Sequence, residues 1–311
     1  MKDAPLHVSV VMPTRNRPDD VRRCLESLAA VRYPHWEVLV VDQSDTTHSR
    51  EVVEGFANVL PNLRYLALVS KGASRSRNVG LEAATGECIA FIDDDCTVDP
   101  TWLDEVASAF DRHPQAALIY GKVIAVPHDS SEYFVTTADL RHERVWKGRL
   151  SSLRIKGIGA SMSVRRVAYL VVGPFDVFFG PGSSFAPAGE EEDYCFRCLA
   201  SGYEVVETPS IVVQHFGARA TKTGAASSLV SGYGFSGGML AMKIVRTGDP
   251  LALALLCARL WQYCWWIDWT KVILLRKSSG VRRLSMFLNG LKASFKLEVD
   301  RRQRLYWSDA K

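Results

Sequence analysis

Several common signals are missing from this 311-residue sequence, and each absence narrows the reading. The opening stretch "MKDAPLHVSVVMPTRNRP" has no basic segment leading into an apolar run and a small-residue cleavage site. The chain is therefore expected to stay in the cytoplasm. The turn after its first apolar run, "PTRNRP", has no glycine. That argues against a dinucleotide-binding dehydrogenase with its GxGxxG, and against a glycine-rich phosphate loop of the nucleotidyltransferase kind. The seven cysteines are odd in number and scattered, which suits a reducing compartment. Cys195 and Cys198 form a CxxC, but no second CxxC or nearby histidine pair completes a metal cage, so a buried structural pair on a helix is expected. No stretch of residues 251–275 reaches the roughly 18–20 uncharged apolar residues that a spanning helix needs, because Arg259, Asp268 and Lys271 interrupt it. Residues 223–242 are uncharged but hold five glycines and four serines, which also argues against spanning.

What is present is an ordinary globular composition, 47% hydrophobic and 23% charged, which excludes wholesale disorder. The length suffices for one large domain or two smaller ones. The net charge of +4 conceals a division. From Arg219 onward there are 16 Lys/Arg against 5 Asp/Glu, a net of +11, and the first 218 residues carry −7. A basic tail implies an anionic partner. Its leucine and tryptophan content favours a phospholipid surface over nucleic acid. Val281, Leu284, Leu288, Leu291 and Phe295 form a helical stripe flanked by Arg282, Lys292 and Lys296. Trp261, Trp265 and Trp269 recur every fourth residue. Residues 251–297 are thus expected to contact a membrane surface without crossing it, on the inner face of the cell membrane. A helical hairpin packed on the preceding domain is the alternative.

The opening third alternates strand and helix. "HVSVVM" (7–12), "EVLVVD" (37–42), "LRYLAL" (63–68) and residues 88–92 read as strands, with helices at 19–31, 74–86 and 101–110 between and after them. Strands this apolar, separated by helices, predict a mostly parallel sheet covered on both faces. Ligands of such sheets bind beyond the carboxyl ends of the strands. Pro13-Thr14-Arg15-Asn16, Asp42 and Asp93-Asp94-Asp95 fall there. The segment 120–180 is irregular and loop-rich. Residues 190–203 read as a short helix, followed by two short strands around Pro209 that end at His215. Three adjacent aspartates at a strand end repel one another, and a hard divalent cation such as Mg²⁺ or Mn²⁺, which takes oxygen ligands, explains them most simply.

Four blocks in order carry a resemblance: "VSVVMPTRNRPDDVRRCLESL" (8–28) with "EVLVVDQSD" (37–45), "KGASRSRNVGLEAATGECIAFIDDD" (71–95), "GIGASMSVRR" (157–166), and "FGPGSSFAPAGEEEDYCFRCLASGYEVVETPSIVVQH" (179–215). The chain resembles the family 2 glycosyltransferases, which are inverting enzymes of the GT-A fold. The resemblance implies that Pro13, Thr14 and Arg15 line a nucleoside pocket and that Asp42 accepts a hydrogen bond from the base. It implies that Arg77 steadies the acidic site or a diphosphate. Asp93 and Asp95 would fill the family's DxD motif, with Asp95 as direct metal ligand, Asp94 near the ribose and His215 beside the metal. In "GEEEDY" the family usually shows Gly-Glu-Asp-x-Asp-Leu. Counting back from Arg197 and Gly202-Tyr203 puts Glu191 at the position of the catalytic base, where aspartate is usual; Glu190 and Asp193 remain alternatives. "GIGASMSVRR" would border the donor sugar and acceptor through Gly159, Ser161 and Met162, with Ser161 replacing a frequent asparagine.

The expected architecture is α/β: a GT-A domain over residues 1–218, with a nucleotide-sugar half to about 125 and an acceptor half over 126–218, then a helical, membrane-associating region over 219–311. The expected activity is metal-dependent inverting transfer of a sugar from a nucleotide diphosphate sugar to a glycan or lipid-linked acceptor hydroxyl, in polysaccharide, glycolipid or cell-envelope glycan synthesis. The rivals are a degenerate scaffold that binds a nucleotide or partner without turnover and, more weakly, a sugar nucleotidyltransferase.

Overall fold

The computed structural model describes residues 5–60, 62–220, 225–265 and 279–307. The first third forms β1 (Val8–Thr14), α1 (Pro18–Ala29), β2 (Trp36–Asp42), α2 (His48–Gly55), β3 (Leu63–Ala67), α3 (Ala73–Ala83) and β4 (Cys88–Ile92). It continues through β5 (Cys96–Val98), α4 (Trp102–Arg112), β6 (Ala116–Ala125), β7 (Tyr133–Phe134), β8 (Arg144–Trp146), β9 (Ser161–Arg165), α5 (Arg166–Val172), α6 (Glu190–Ala200), β10 (Glu204–His215) and β11 (Arg219–Ala220). The C-terminal region holds α7 (Ala225–Arg246), α8 (Ala252–Trp265), α9 (Ser279–Ala293), β12 (Glu298–Asp300) and β13 (Leu305–Trp307).

One nine-stranded sheet runs in the order β3-β2-β1-β4-β9-β6-β10-β5, with β8 paired on β10. The neighbours β3/β2, β2/β1, β1/β4 and β6/β10 are parallel, whereas β9 is antiparallel to both β4 and β6. Alternation along β1 feeds two cores. Val8, Val10 and Met12 face one together with Val21, Cys24, Leu25 and Leu28 of α1, while Val11 faces the other with Leu81 of α3 and Tyr194 and Cys195 of α6. Burying each such aliphatic side chain is worth about 1.5–3 kcal/mol. That apolar support is what holds like charges side by side at the strand ends.

Local chemistry accounts for the boundaries. Pro18 opens α1, with Asp19 and Asp20 in its first turn favouring the helix dipole. Asn16, in the left-handed region at φ 56°, turns the chain between β1 and α1. The segment around Pro209 is one strand, not two: Pro209 has no N–H for the ladder, and the β6–β10 register shifts between Thr208 and Val212 without ending the strand. The Cys195–Cys198 pair is buried on α6, as expected.

The C-terminal helices pack on the sheet domain. Met239, Leu240, Ile244, Ala252 and Leu255 share a core with Phe179, Ala186 and Phe196. Glycines have a packing role where α7 crosses α9, Gly238 on one helix and Gly290 on the other. A Cβ on Gly238 would lie 2.0 Å from Phe287 O, and one on Gly290 would lie 2.0 Å from Phe235 O. The expected apolar stripe divides: Leu284 and Leu291 of α9 pack around Ala241 and Phe287, whereas Val281 and Leu288 of α9 and Phe295 just beyond its end stay 41%, 43% and 65% exposed. Trp261 is exposed, and Trp269 lies outside the described residues. Among the described residues, no helix is long and apolar enough to cross a membrane.

Candidate active site

The carboxyl ends of β1, β4 and β10 meet at a cleft of about 430 Å³. Parallel pairing of β1 with β4 brings Pro13 and Thr14 beside Asp93–Asp95. The antiparallel register of β10 with β5 sets His215 opposite Cys96 and so beside Asp95. Helix α3 adds Arg77 and packs closely on β1, since a Cβ on its Gly80 would lie 2.3 Å from Val11 Cγ1. The opposite wall is the turn before α6, where Gly189 takes φ +92° and Glu190 and Glu191 follow.

The three aspartates have different partners. Asp93 lies 3.5 Å from Arg77 Nη2. Asp94 accepts hydrogen bonds from Thr14 Oγ1 at 2.7 Å and Arg17 Nη1 at 3.0 Å. Asp95 pairs with Arg17 Nη1 at 3.1 Å and with His215 Nε2 at 3.2 Å. Burial pushes Asp94 up to about 7 and raises Asp93, with Arg77 opposing that rise. Burial also works to raise Asp95, but the hydrogen bond and charge of His215 and the charge of Arg17 prevail and hold it below the usual carboxylate range. For His215, burial opposes the cation, while the Asp95 bond and charge raise it overall.

The acids of α6 are treated differently again. Glu190 Oε1 accepts from Arg77 Nη1 at 2.8 Å, so Arg77 bridges the two acid clusters. Asp193 is fully buried, with Arg197 Nε at 2.9 Å and Lys243 Nζ at 2.6 Å. Glu192 points outward to Arg259 at 3.2 Å. Glu191 lines the cleft, and its buried Oε2 has no hydrogen-bond partner among the described residues. Burial and the adjacent Glu190 carboxylate push Glu191 well above the ordinary range.

The cleft thus gathers Pro13, Thr14, Arg15, Arg77, Asp93, Asp94, Asp95, Gly159, Glu190, Glu191 and His215. Four expected site residues lie elsewhere. Asp42 is buried at the end of β2, its oxygens taken by Ser44 N–H at 2.8 Å and Tyr65 Oη at 2.9 Å. Ser161 is buried on β9, and Met162 is in the core with Phe91 and Tyr120. Asp193 faces away from the cleft, into its ion pairs. The sequence reading missed Arg17, Gln43, Arg219 and Tyr233, all cleft-lining. Tyr233 comes from α7, and burial beside Glu191 and Glu190 pushes its phenol up to about 12. It also missed Glu207, whose buried carboxylate takes Trp146 Nε1 at 2.8 Å and the N–H groups of Lys156 and Gly157, steadying the 158–160 edge of the cleft.

The site also bears on metal binding. Asp95, Cys96 and His215 bring ligand atoms within 4.8 Å of one another. His215 Nδ1 donates to Thr136 O at 2.9 Å, which leaves Nε2 turned toward Asp95. Gly217 keeps the adjoining space open: a Cβ there would lie 2.5 Å from His215 Nε2 and 2.6 Å from Asp95 Oδ2. Burial pushes the Cys96 thiol well up, so it stays neutral and suits a hard cation poorly. Asp95 and His215 therefore fit a divalent cation, while Asp93, in the same cleft, lies 3.5 Å from Arg77 Nη2.

Comparison with known proteins places the chain. The sequence profile of glycosyl transferase family 2 matches residues 9–167, about half of its length. The chain belongs to that family. It is 26% identical over 220 residues to the glucosyl-dolichyl phosphate glucuronosyltransferase of Haloferax volcanii, covering 68% of this chain and 69% of that one. More identical curated relatives, at 38% and 33%, are matched over only 27% and 34% of their own length. Among solved structures it superposes on the TarS 1-349 fragment of Staphylococcus aureus in complex with UDP-GlcNAc, with a TM-score of 0.65, 18% identity, and coverage of 92% of this chain and 81% of that one. The mannosyltransferase PcManGT of Pyrobaculum calidifontis, solved with GDP-Man and Mn²⁺, gives a TM-score of 0.59 at 17% identity, covering 94% and 87%. At these identities the structures establish a shared fold, of the GT-A type.

Proposed function

We propose that this chain transfers a sugar from a nucleotide diphosphate sugar to an acceptor hydroxyl with inversion, in the synthesis of a polysaccharide, glycolipid or cell-envelope glycan. One observation carries the reading: the strand-end aspartates and Glu191, whose buried Oε2 has no hydrogen-bond partner among the described residues, open onto the same cleft. Pro13, Thr14 and Arg15 hold the nucleoside end. Arg77 and Arg17 supply positive charge near the diphosphate. Asp95 and His215 would hold a divalent cation, which would supply positive charge to offset the negative charge of the departing diphosphate. Glu191 accepts the acceptor's proton as the acceptor oxygen bonds to the anomeric carbon. The bond from that carbon to the diphosphate oxygen breaks, and the nucleoside diphosphate leaves. Family membership and the nucleotide sugars bound by TarS and PcManGT support the donor class. The Haloferax relative's name supports a lipid-linked acceptor.

Calorimetric titration with UDP, GDP and dTDP, with and without Mn²⁺, tests the donor site. The expected result is metal-dependent binding of one nucleotide, lost in Asp95→Ala. No binding of any nucleotide to a folded protein would instead support the degenerate-scaffold reading.

We further propose that residues 251–297 lie on the inner face of the cell membrane. The exposed Leu253, Trp261, Val281, Leu288 and Phe295, together with the basic charge of the tail, support it. The chain should co-sediment with anionic liposomes and be released by salt. If it stays in the supernatant at low ionic strength, the membrane role is wrong.

A further inference from the structure

Helix α7 runs along the acid-bearing turn and touches it at three places. A Cβ on Gly232 would lie 2.9 Å from Pro187 Cγ. Ser236 Oγ accepts from Ala188 N–H at 3.2 Å. Lys243 Nζ reaches Asp193 Oδ1 at 2.6 Å. Spacings of four and seven residues put Gly232, Ser236 and Lys243 on one helix face.

The same ammonium lies 2.6 Å from Asp176 Oδ2. Asp176 begins the segment that reaches Pro181, Gly182 and Ala188 on the cleft wall. It is held by Phe178 N–H at 3.0 Å and Tyr306 N–H at 2.8 Å. Asp193 is two residues beyond Glu191, and its other oxygen is already taken by Arg197 Nε. Arg197 alone could neutralise Asp193, so charge balance with that residue does not require Lys243. What Lys243 adds is a junction, one buried atom joining α7, the start of the cleft-wall segment and the first turn of α6.

We propose that Lys243 is a positioning residue: it fixes the turn bearing Glu190 and Glu191 relative to the strand-end aspartates. Part of the C-terminal region thereby becomes support for the catalytic apparatus. The catalytic meaning rests on the role proposed above for Glu191, while the mechanical meaning does not.

Hydrogen exchange on the full chain separates the two. In Lys243→Met, amides of residues 189–194 should exchange about 10-fold faster or more, while those of β1 and β4 keep their protection. Nucleoside diphosphate affinity should stay within about 3-fold. Release of nucleoside diphosphate from the matching UDP-, GDP- or dTDP-sugar should fall on the order of 100-fold in kcat, with little change in donor KM, as expected for a misplaced catalytic group. Unchanged exchange at 189–194 would overturn the proposal, as would loss of protection across β1 and β4 together with it. Should Lys243→Met not fold, the double variant with Asp176→Asn removes one buried cation and one buried anion together. That variant should fold and still exchange fast at 189–194. Full recovery of protection there would mean that Lys243 only balances charge. If the wild type binds none of the three nucleotides, the reading of the cleft fails, and the exchange result still decides the role of Lys243.

Discussion

Two runs of acids face each other across the cleft, and the backbone beneath them makes them behave differently. Asp93–Asp95 follow a strand into a tight turn, so all three carboxylates line the same cleft and share the cations Arg17, Arg77 and His215. Glu190–Asp193 begin a helix, where each residue is rotated about 100° from the last. Four consecutive acids therefore reach four destinations: Arg77, the open cleft, the Arg259 side and the buried Lys243–Arg197 pair. A strand-end turn concentrates negative charge, as the proposed cation site would require. A helix start sorts it, and leaves Glu191 with a buried Oε2 that has no hydrogen-bond partner among the described residues.

The sorting can be broken one residue at a time. Asp193→Asn leaves two buried cations facing one buried anion, and should cost about 3–5 kcal/mol of stability in a denaturant melt. The adjacent Glu192→Ala removes a half-exposed pair and should cost no more than about 1 kcal/mol. Equal losses at the two positions would contradict the assignment of Asp193 to the interior. A smaller effect sharpens the role of Glu191. Its carboxyl is pushed upward by burial and by Glu190, and a base works only when ionised. Turnover should therefore fall as pH drops through a value above the ordinary glutamate range, by about tenfold per unit. An acid limb at the ordinary glutamate position would mean that Glu191 is not the titrating group.

Much of this was legible in the sequence because local rules sufficed. The apolar strands, Pro18 opening α1 and the acid run ending β4 all depend on near neighbours. The gathering of Pro13, Thr14 and Asp93–Asp95 at one cleft follows, since parallel strands deliver their carboxyl ends to one edge. The positions that sequence reading placed differently depend on contacts across the fold. Asp42 stands at the right strand end, but Tyr65 of the next strand takes its oxygen. For Met162 a usable signal existed: in "SMSV" the apolar and polar residues alternate, which sends Met162 and Val164 to the core opposite Ser161 and Ser163. The α9 stripe is real, but periodicity does not tell which of its residues meet another helix. Tyr233 and Lys243 had no local signal at all, because their partners lie some forty to seventy residues away. A lone lysine ending twenty uncharged residues was the nearest hint.

The most direct test of the contrast between the two acid runs is turnover and nucleotide affinity measured on one preparation of Glu191→Gln. The nucleoside diphosphate should bind within about 3-fold of wild type, while turnover falls by on the order of 10²–10⁴-fold, the range for loss of a general base. Turnover near the wild-type rate would contradict that role and return the base to Glu190, the other acid of this turn in the cleft.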